Sequence, residues 1–212
     1  MDKKDLLLYA VTDRSWLKEG ETLAEQVEKC LKGGATCVQL REKRLSKKEF
    51  LEEAKKIKKV CAKYHVPFLI NDDVEIALEV DAYGVHVGQS DMEVMDVRAK
   101  LGPDKIIGVT AKTVEQAVLA EKHGANYLGS GAVFGTSTKE DASKLDHKIL
   151  KAICETVHIP VVAIGGITEE NVEELAGNKV AGVAVVSAIF AKEDIEAATR
   201  ELKMKTEKMV KA

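Results

Sequence analysis

The sequence lacks any hydrophobic run long enough to cross a membrane. No stretch of about 18 or more consecutive apolar residues occurs, and the apolar run near the N-terminus is too short for the core of a signal peptide. The four cysteines lie far apart, with no C-x-x-C pair and no cysteine and histidine cluster at zinc-like spacing. We therefore expect reduced, mostly buried cysteines in a cytoplasmic protein without a membrane segment.

The sequence also lacks a strong charge imbalance and any linker-like segment. Its formal net charge of -3 gives no general attraction to nucleic acid or to acidic membranes. No Pro/Gly/Ser-rich, low-complexity or single-charge tract interrupts the 212 residues, and this length suits one well-packed core better than two large domains. We predict a single domain over residues 1–212 whose partners are small molecules.

Strand-like and helix-like segments alternate along the chain, which is typical of α/β folds with a parallel sheet. Eight apolar segments are predicted to be buried strands, at 6–12, 37–42, 67–71, 83–87, 106–110, 126–130, 160–165 and 182–187. Amphipathic helices are predicted at 21–33, 47–64, 92–101, 113–123, 146–156, 169–176 and 193–209. The strand count and the absence of an early G-x-G-x-x-G favour a (β/α)8 TIM barrel over a doubly wound open sheet. Barrels of this size often pair, so a homodimer is the assembly that we consider.

The ends of the last two predicted strands carry the pattern of a phosphate site. Gly165 and Gly166 allow backbone N–H groups to approach an anion closely, and Ser187 precedes a helix-like tail. In (β/α)8 barrels, the loops after strands seven and eight commonly form such a cup. We predict a phosphate site here, with catalytic groups on earlier loops of the same face.

A second group of candidates lies in the segment CVQLREK, at the end of strand two. Strand side chains alternate with a period of two, so Gln39, Arg41 and Lys43 would share the barrel mouth. Leu40 and Glu42 would then face the helices. Two cations in a pocket require an anion because buried charge must be paired. The alternative for Arg41 is an ion pair with a carboxylate on a neighbouring strand.

Oxygen ligands follow strands three and four. Asn71 and Asp72 end the third strand, and Asp91 lies in the loop after the fourth. Carboxylates at strand ends can hold Mg²⁺ together with water and substrate phosphate oxygens. Asp72 and Asp91 are therefore candidate metal ligands; the alternative for Asp91 is a helix cap. His86, inside the fourth strand, is expected to be a hydrogen-bonded interior histidine.

Hydroxyl groups follow strands five and six. The Thr110 hydroxyl can donate to an oxyanion, although a β-branched residue also suits a strand without any functional role. The loop after strand six has four donors in succession: Thr136, Ser137, Thr138 and Lys139. Such loops are usually polar turns, but this one is predicted on the same rim as the cations, the carboxylates and the glycine cup. That coincidence favours an anion-binding role.

The motifs together resemble those of thiamine phosphate synthases, in that family's order and approximate spacing. They are QLREK at 39–43, ND at 71–72, GVHVGQ at 84–89 with Asp91, TSTK at 136–139, AIGGI at 163–167 and VVSAI at 185–189. The resemblance covers nearly the whole chain. It implies a Mg²⁺-dependent transferase that joins 4-amino-2-methyl-5-(diphosphooxymethyl)pyrimidine to 4-methyl-5-(2-phosphooxyethyl)thiazole and releases diphosphate.

The resemblance also implies roles for the matched positions. Substrate contacts are implied for Gln39, Leu40, Arg41, Glu42, Lys43, Asn71, Thr110, Thr136, Ser137, Thr138, Lys139, Gly166, Val186 and Ser187. Catalytic roles are implied for Arg41, Lys43, Thr110 and Lys139. Asp72 and Asp91 would hold Mg²⁺. Because the electron-rich pyrimidine can share positive charge as diphosphate departs, catalysis would consist of positioning and electrostatic stabilisation, and no nucleophile is required.

The chain departs from the family pattern at a few positions. Asp73 stands where arginine is common, Thr110 where serine is common, and Ala132 and Gly135 where prolines are frequent. Thr110 keeps the hydroxyl, whereas Asp73 is expected to add negative charge beside the diphosphate site.

Three other functions remain open at this stage. One is a thiazole tautomerase of the same barrel family, in which a histidine acts near the position of Ala132. Another is a non-catalytic thiamine phosphate binding protein, suggested by Asp73. The third is a phosphate-binding sugar isomerase or epimerase, suggested by the glycine cup alone.

Overall fold

Eight parallel strands form a closed barrel in the computed structural model, which describes residues 1–88, 94–135 and 144–212. The strands are β1 (Leu8–Val11), β2 (Cys37–Leu40), β3 (Phe68–Asn71), β4 (Gly84–Val87), β5 (Ile106–Thr110), β6 (Tyr127–Gly131), β7 (Val161–Ile164) and β8 (Gly182–Val185). Each strand pairs with its successor, and β8 pairs with β1 through Tyr9 opposite Ala184. The predicted (β/α)8 TIM barrel is confirmed.

Helices cover the outside of the barrel. They are α1 (Leu23–Gly33), α2 (Lys47–Lys63), α3 (Val74–Glu79), α4 (Val94–Leu101), α5 (Val114–Lys122), α6 (His147–Thr156), α7 (Ser187–Phe190) and α8 (Ile195–Met209). Short 3-10 helices lie at Lys3–Leu6, Arg14–Trp16 and Val172–Leu175. In the part of the chain that the structure describes, no helix is long and apolar enough to cross a membrane.

The helix predicted at 169–176 is reduced to the single 3-10 turn Val172–Leu175. Asn171 explains the difference because its side chain is used in a local turn. Its Oδ1 accepts from the Thr168 N–H at 2.9 Å, and its Nδ2 donates to the Gly166 carbonyl at 2.9 Å. These bonds connect residues within the loop after β7 to one another.

Local residues determine where several of the helices begin and end. Capping boxes start α1 at Thr22 and α2 at Ser46, and each is completed by a glutamate three residues later. Asp146 caps α6 by accepting from the Lys148 N–H at 2.8 Å. Gly34 ends α1 with a left-handed φ of 101°. These three helices therefore start or stop at places specified by nearby sequence.

Strand alternation separates two apolar layers. One layer, between strands and helices, contains Leu8, Val38, Leu40 and Ile70, all fully buried. The other fills the barrel interior and includes Tyr9, Cys37, Leu69, Tyr127 and Val162. Interior side chains of this kind make the barrel a packed core. Any ligand must therefore bind above that layer, at an end of the barrel.

All four cysteines are unpaired, and Cys30, Cys37 and Cys61 are buried. Burial raises the pKa of the Cys30 and Cys61 thiols to about 12. Thiols with such values stay protonated at neutral pH and react slowly. The prediction of unpaired, mostly buried cysteines is confirmed.

Glycine at position 108 makes room for a buried aromatic ring. A Cβ atom placed on Gly108 would lie 2.0 Å from Cζ of Tyr127. The Tyr127 ring is fully buried in the barrel interior. Position 108 must therefore lack a side chain while Tyr127 keeps its place.

We predict that Gly108→Ala destabilises the protein by about 1–3 kcal/mol, because the added methyl overpacks the interior around the Tyr127 ring. Urea unfolding followed by circular dichroism would measure the change. A midpoint equal to that of the unchanged chain would contradict this packing account.

Candidate active site

A cavity opens at the carboxyl ends of the strands, and every strand contributes to its wall. The contributing side chains include Tyr9, Gln39, Asn71, His86, Thr110, Val162 and Ala184, with the backbone of Gly129 on β6. Parallel strands that close into a barrel bring all their carboxyl ends to one face, which explains the convergence. This is the face that the sequence predicts for the site.

Several residues predicted from sequence meet in this cavity. They are Gln39, Arg41, Asn71, Thr110, Gly166, Val186 and Ser187. They come from β2, β3 and β5, from the loops after β2, β7 and β8, and from the start of α7. Segments far apart in sequence thus contribute to one binding surface.

The cavity wall carries positive charge that is not compensated by the described residues. Arg41 and Lys112 line it, and its described lining contains no aspartate or glutamate. Neither cation lies within 4.0 Å of a carboxylate in ranges 1–88, 94–135 and 144–212. The alternative of an Arg41 ion pair is therefore not seen in the described residues. Two such cations suit an anionic ligand.

Lys43 and Asp72 form an ion pair at the rim. The Lys43 ammonium lies 2.6 Å from Oδ2 of Asp72, and the Asp72 N–H donates to the His86 carbonyl at 2.9 Å. Lys43 does not line the cavity, because β2 ends at Leu40 and the strand alternation does not continue to position 43. The expectation that Lys43 shares the mouth face with Gln39 and Arg41 needs this correction.

Leu40 and Glu42 also lie away from the cavity. Leu40 is fully buried in the apolar layer beneath the helices. Glu42 accepts hydrogen bonds from Nε and Nη2 of Arg14 at 3.1 and 2.9 Å, and its side chain is only 4% exposed. Both side chains face the helix layer, as the alternation predicts, so contact between these side chains and a substrate is not supported.

A chain of hydrogen bonds forms the cavity floor. Gln39 Nε2 donates to the Tyr9 hydroxyl at 2.6 Å, and that hydroxyl lies 2.9 Å from the Tyr127 hydroxyl. The Tyr127 hydroxyl lies 2.9 Å from Nδ1 of His86, whose Nε2 lies 3.1 Å from Oγ1 of Thr110. Burial raises the pKa of both tyrosines well above the usual value, so both phenols stay protonated. His86 is thus a hydrogen-bonded interior residue, as predicted, and it also borders the cavity.

The loop after β7 forms the predicted glycine cup. Gly165 and Gly166 have φ values of 96° and 70°, in the left-handed region that favours glycine. A Cβ on Gly165 would lie 2.5 Å from the Cβ of Ala132, and one on Gly166 would lie 1.9 Å from the Gly135 carbonyl oxygen. Ser187 begins α7 on the adjacent side of the cavity. The cup is therefore a close backbone approach that larger residues would disrupt.

Comparison with known proteins shows which family the chain belongs to. The family model for thiamine monophosphate synthase matches residues 8–189. The chain belongs to the thiamine monophosphate synthase family. As a member of that family, it is an enzyme of the transferase class.

Individual members are similar over nearly their full length. A thiamine-phosphate synthase of Clostridium tetani is 50% identical over 198 residues, which cover 93% of this chain and 94% of the relative. A thiamine-phosphate synthase of Clostridium botulinum is 48% identical over 208 residues, covering 98% and 97%. The solved thiamine phosphate pyrophosphorylase of Pyrococcus furiosus superposes with a TM-score of 0.90 at 39% identity and covers 98% of both chains.

Asp73, which departs from the pattern of the thiamine monophosphate synthase family, has a structural role. Its carboxylate accepts from the Ile76 N–H at 2.8 Å and thereby caps α3. Asp73 does not line the cavity. Asp73 therefore has a structural role at the start of α3, outside the described cavity lining.

Some predicted residues lie outside the described ranges. They are Asp91, Thr136, Ser137, Thr138 and Lys139. Their roles, including the second carboxylate of the metal pair, stay predictions from the family resemblance.

Sequence reasoning missed Lys112, Tyr9 and Tyr127. Lys112 follows Thr110 by two positions, so extending the strand alternation past the end of β5 would have placed it on the cavity side. The tyrosines stand in largely apolar strands, where an aromatic residue usually indicates packing only. No sequence pattern signals that their hydroxyls meet.

We predict that Lys112→Met weakens binding of inorganic diphosphate about tenfold, because the change keeps the apolar stem and removes one cavity charge. Isothermal titration calorimetry would measure the affinity. Lys32→Met, an exposed lysine on the outer helix α1, is the matched control and should bind like the unchanged protein. Equal losses in the two variants would contradict a local role for Lys112.

Proposed function

We propose that the enzyme joins the pyrimidine methyl diphosphate to the thiazole phosphate, releasing diphosphate and forming thiamine phosphate. The observation that carries the proposal is a cavity with two cations, Arg41 and Lys112, that have no carboxylate partner in the described residues, beside a glycine cup. Such a cavity suits two anionic reactants. The similar proteins from Clostridium and Pyrococcus support the choice of reactants.

The two anionic groups would occupy different walls. The diphosphate would lie near Arg41, Asn71 and Thr110, which supply a guanidinium, an amide and a hydroxyl. The thiazole phosphate would lie in the cup formed by Gly166 and Ser187 across the same cavity. This arrangement would hold the thiazole nitrogen close to the pyrimidine methylene carbon, which is the bond to be formed.

Bond breaking would run ahead of bond formation. The pyrimidine ring can share positive charge as its methylene loses diphosphate, so the main task is to stabilise charge on the leaving group. Arg41 and Lys112 are positioned before the reaction and need no reorganisation to do this. The apolar wall, which includes Val162 and Ile164, limits water around the cationic ring.

A role for Mg²⁺ is part of this proposal. Asp72 presents a hard oxygen ligand at the rim, where Lys43 compensates its charge. Mg²⁺ is commonly held by one or two carboxylates together with substrate phosphate oxygens, so Asp72 and Asp91 remain the proposed ligands. When bound, the ion would neutralise charge on the departing diphosphate.

The alternative functions are less well supported. Ala132 lines the cavity near the position where tautomerase relatives use a histidine, and a methyl group transfers no proton. The charge of Asp73, which suggested a non-catalytic binder, is used to cap α3. A sugar isomerase or epimerase does not account for the full-length similarity to thiamine phosphate synthases.

We also propose that residues 1–212 act as a single domain, because β1 and β8, near opposite ends of the chain, pair in one barrel. The cytoplasmic location and the homodimer stay predictions. Sedimentation of the purified protein would test the assembly.

Product formation tests the proposed function directly. The purified protein is mixed with both substrates and Mg²⁺, and thiamine phosphate is detected by its conversion to fluorescent thiochrome phosphate. Product that accumulates in proportion to enzyme is the expected result. Isomerised thiazole without coupling would indicate the tautomerase, and binding of thiamine phosphate without turnover would indicate the binding protein.

We predict that Arg41→Ala lowers turnover by at least about tenfold, because a charge-assisted contact to the leaving group contributes ~1.5–3 kcal/mol. Steady-state rates at saturating substrates would measure the loss. Arg200→Ala, which removes an exposed arginine paired with Glu196 on α8, should leave the rate unchanged. Near-normal turnover in Arg41→Ala would contradict the assigned role.

We predict that EDTA abolishes activity and that added Mg²⁺ restores it, because the proposed leaving group needs a divalent ion for full charge neutralisation. The same fluorescence assay provides the measurement. Activity that survives complete chelation would remove the proposed purpose of Asp72 and Asp91.

A further inference from the structure

The hydrogen bonds beneath the cavity give three residues outside the predicted site a role. We propose that Tyr9, Tyr127 and His86 are positioning residues that hold the hydroxyl of Thr110 in one orientation. Their hydrogen bonds run in a single direction from Gln39, so His86 carries its proton on Nε2 and donates to Thr110. The effect on catalysis rests on the proposed function, whereas the direction of the bonds does not.

The Tyr9 hydroxyl lies between one donor and one acceptor. The side-chain nitrogen of Gln39 can only donate, so the Tyr9 hydroxyl accepts at 2.6 Å. Tyr9 is fully buried, and a buried hydroxyl proton without an acceptor is costly. The Tyr127 hydroxyl, 2.9 Å away, is the remaining partner that the described contacts provide. Tyr9 therefore donates to Tyr127.

His86 is the next residue in the hydrogen-bond chain. The Tyr127 hydroxyl accepts a hydrogen bond from Tyr9, so its own proton needs another acceptor. Nδ1 of His86 lies 2.9 Å away and is that acceptor. A ring nitrogen that accepts carries no proton, so the neutral imidazole is protonated on Nε2. That nitrogen lies 3.1 Å from Oγ1 of Thr110 and donates to it.

The direction of these hydrogen bonds makes Thr110 an acceptor from His86. A threonine hydroxyl has one proton and two lone pairs, and here a lone pair receives the His86 proton. The hydroxyl proton of Thr110 is therefore not consumed by His86. Thr110 borders the cavity, so an anionic substrate oxygen that enters can compete for this proton.

The opposite direction would have the opposite effect. If the amide of Gln39 presented its oxygen to Tyr9, every bond in the chain would reverse. His86 would then be protonated on Nδ1, and the Thr110 hydroxyl would donate its hydrogen bond to Nε2 of His86. The protonated nitrogen of His86 thus reports which direction the whole chain takes.

Packing holds the participating rings in place. The Tyr9 and Tyr127 rings meet edge to face with centroids 5.9 Å apart, and the His86 and Tyr127 centroids lie 5.5 Å apart. Gly108 has no side chain to displace Tyr127. The chain can therefore be formed before substrate arrives, which is how a positioned donor lowers a barrier.

Nuclear magnetic resonance on the ligand-free protein tests the direction without any activity measurement. Histidine ring nitrogens are labelled with ¹⁵N, and the His86 signals are assigned by their loss in His86→Asn. A proton on Nε2 supports the proposal. A proton on Nδ1 overturns it, even if the enzyme is fully active.

A double-mutant cycle tests the link to Thr110. Tyr127→Phe, which removes only a hydroxyl, should lower kcat about tenfold and change KM less than about threefold. In a Thr110→Val background, where the hydroxyl is already gone, Tyr127→Phe should lower kcat no further. Independent, additive losses would overturn the positioning role, because a purely structural defect would act in both backgrounds.

A matched control variant and the unchanged protein are measured in the same way. Tyr83→Phe removes a hydroxyl from a tyrosine that is 45% exposed and should leave kcat unchanged. If Tyr127→Phe fails to fold, the ¹⁵N result on the unchanged protein still decides the direction. An unchanged protein that forms no thiamine phosphate would refute the proposed function and the catalytic role, while an Nε2 proton would still support the direction of the chain.

Discussion

The pairing of β1 with β8 is the constraint on which the rest of the structure depends. It closes the barrel and makes every strand neighbour two others, so no strand edge remains within it. Closure also brings the eight carboxyl ends to one opening. Arg41, Asn71, Thr110 and Gly166, which are far apart in sequence, face one cavity as a result.

The cavity has two parts with different electrostatic environments. Its upper wall has cations without carboxylate partners in the described chain, whereas its floor is a neutral chain of hydroxyl, amide and imidazole groups. Neutral groups suit the floor because Tyr9 and Tyr127 are fully buried, where charge would be costly. The charge needed by an anionic ligand is therefore placed where solvent and ligand can reach it.

The sequence was sufficient for the barrel and for much of the candidate site. Strand alternation and the glycine pair predicted Gln39, Arg41 and Gly166 correctly as cavity residues because these features are local and follow regular backbone geometry. The alternation failed at Lys43, beyond the end of β2, where pairing with Asp72 determines the side-chain direction. Contacts between distant strands, such as Tyr9 with Tyr127, have no local sequence signal and required coordinates.

The contact between the loops after β6 and β7 restricts how this enzyme can diverge. Gly165 and Gly166 touch Ala132 and Gly135 so closely that a single methyl group on either glycine would collide with the neighbouring loop. A larger residue on one side is tolerable only with a compensating backbone change on the other. New substrate specificities on this scaffold would thus arise through paired substitutions in both loops. A single substitution of Gly165 or Gly166 would mostly disrupt the glycine cup.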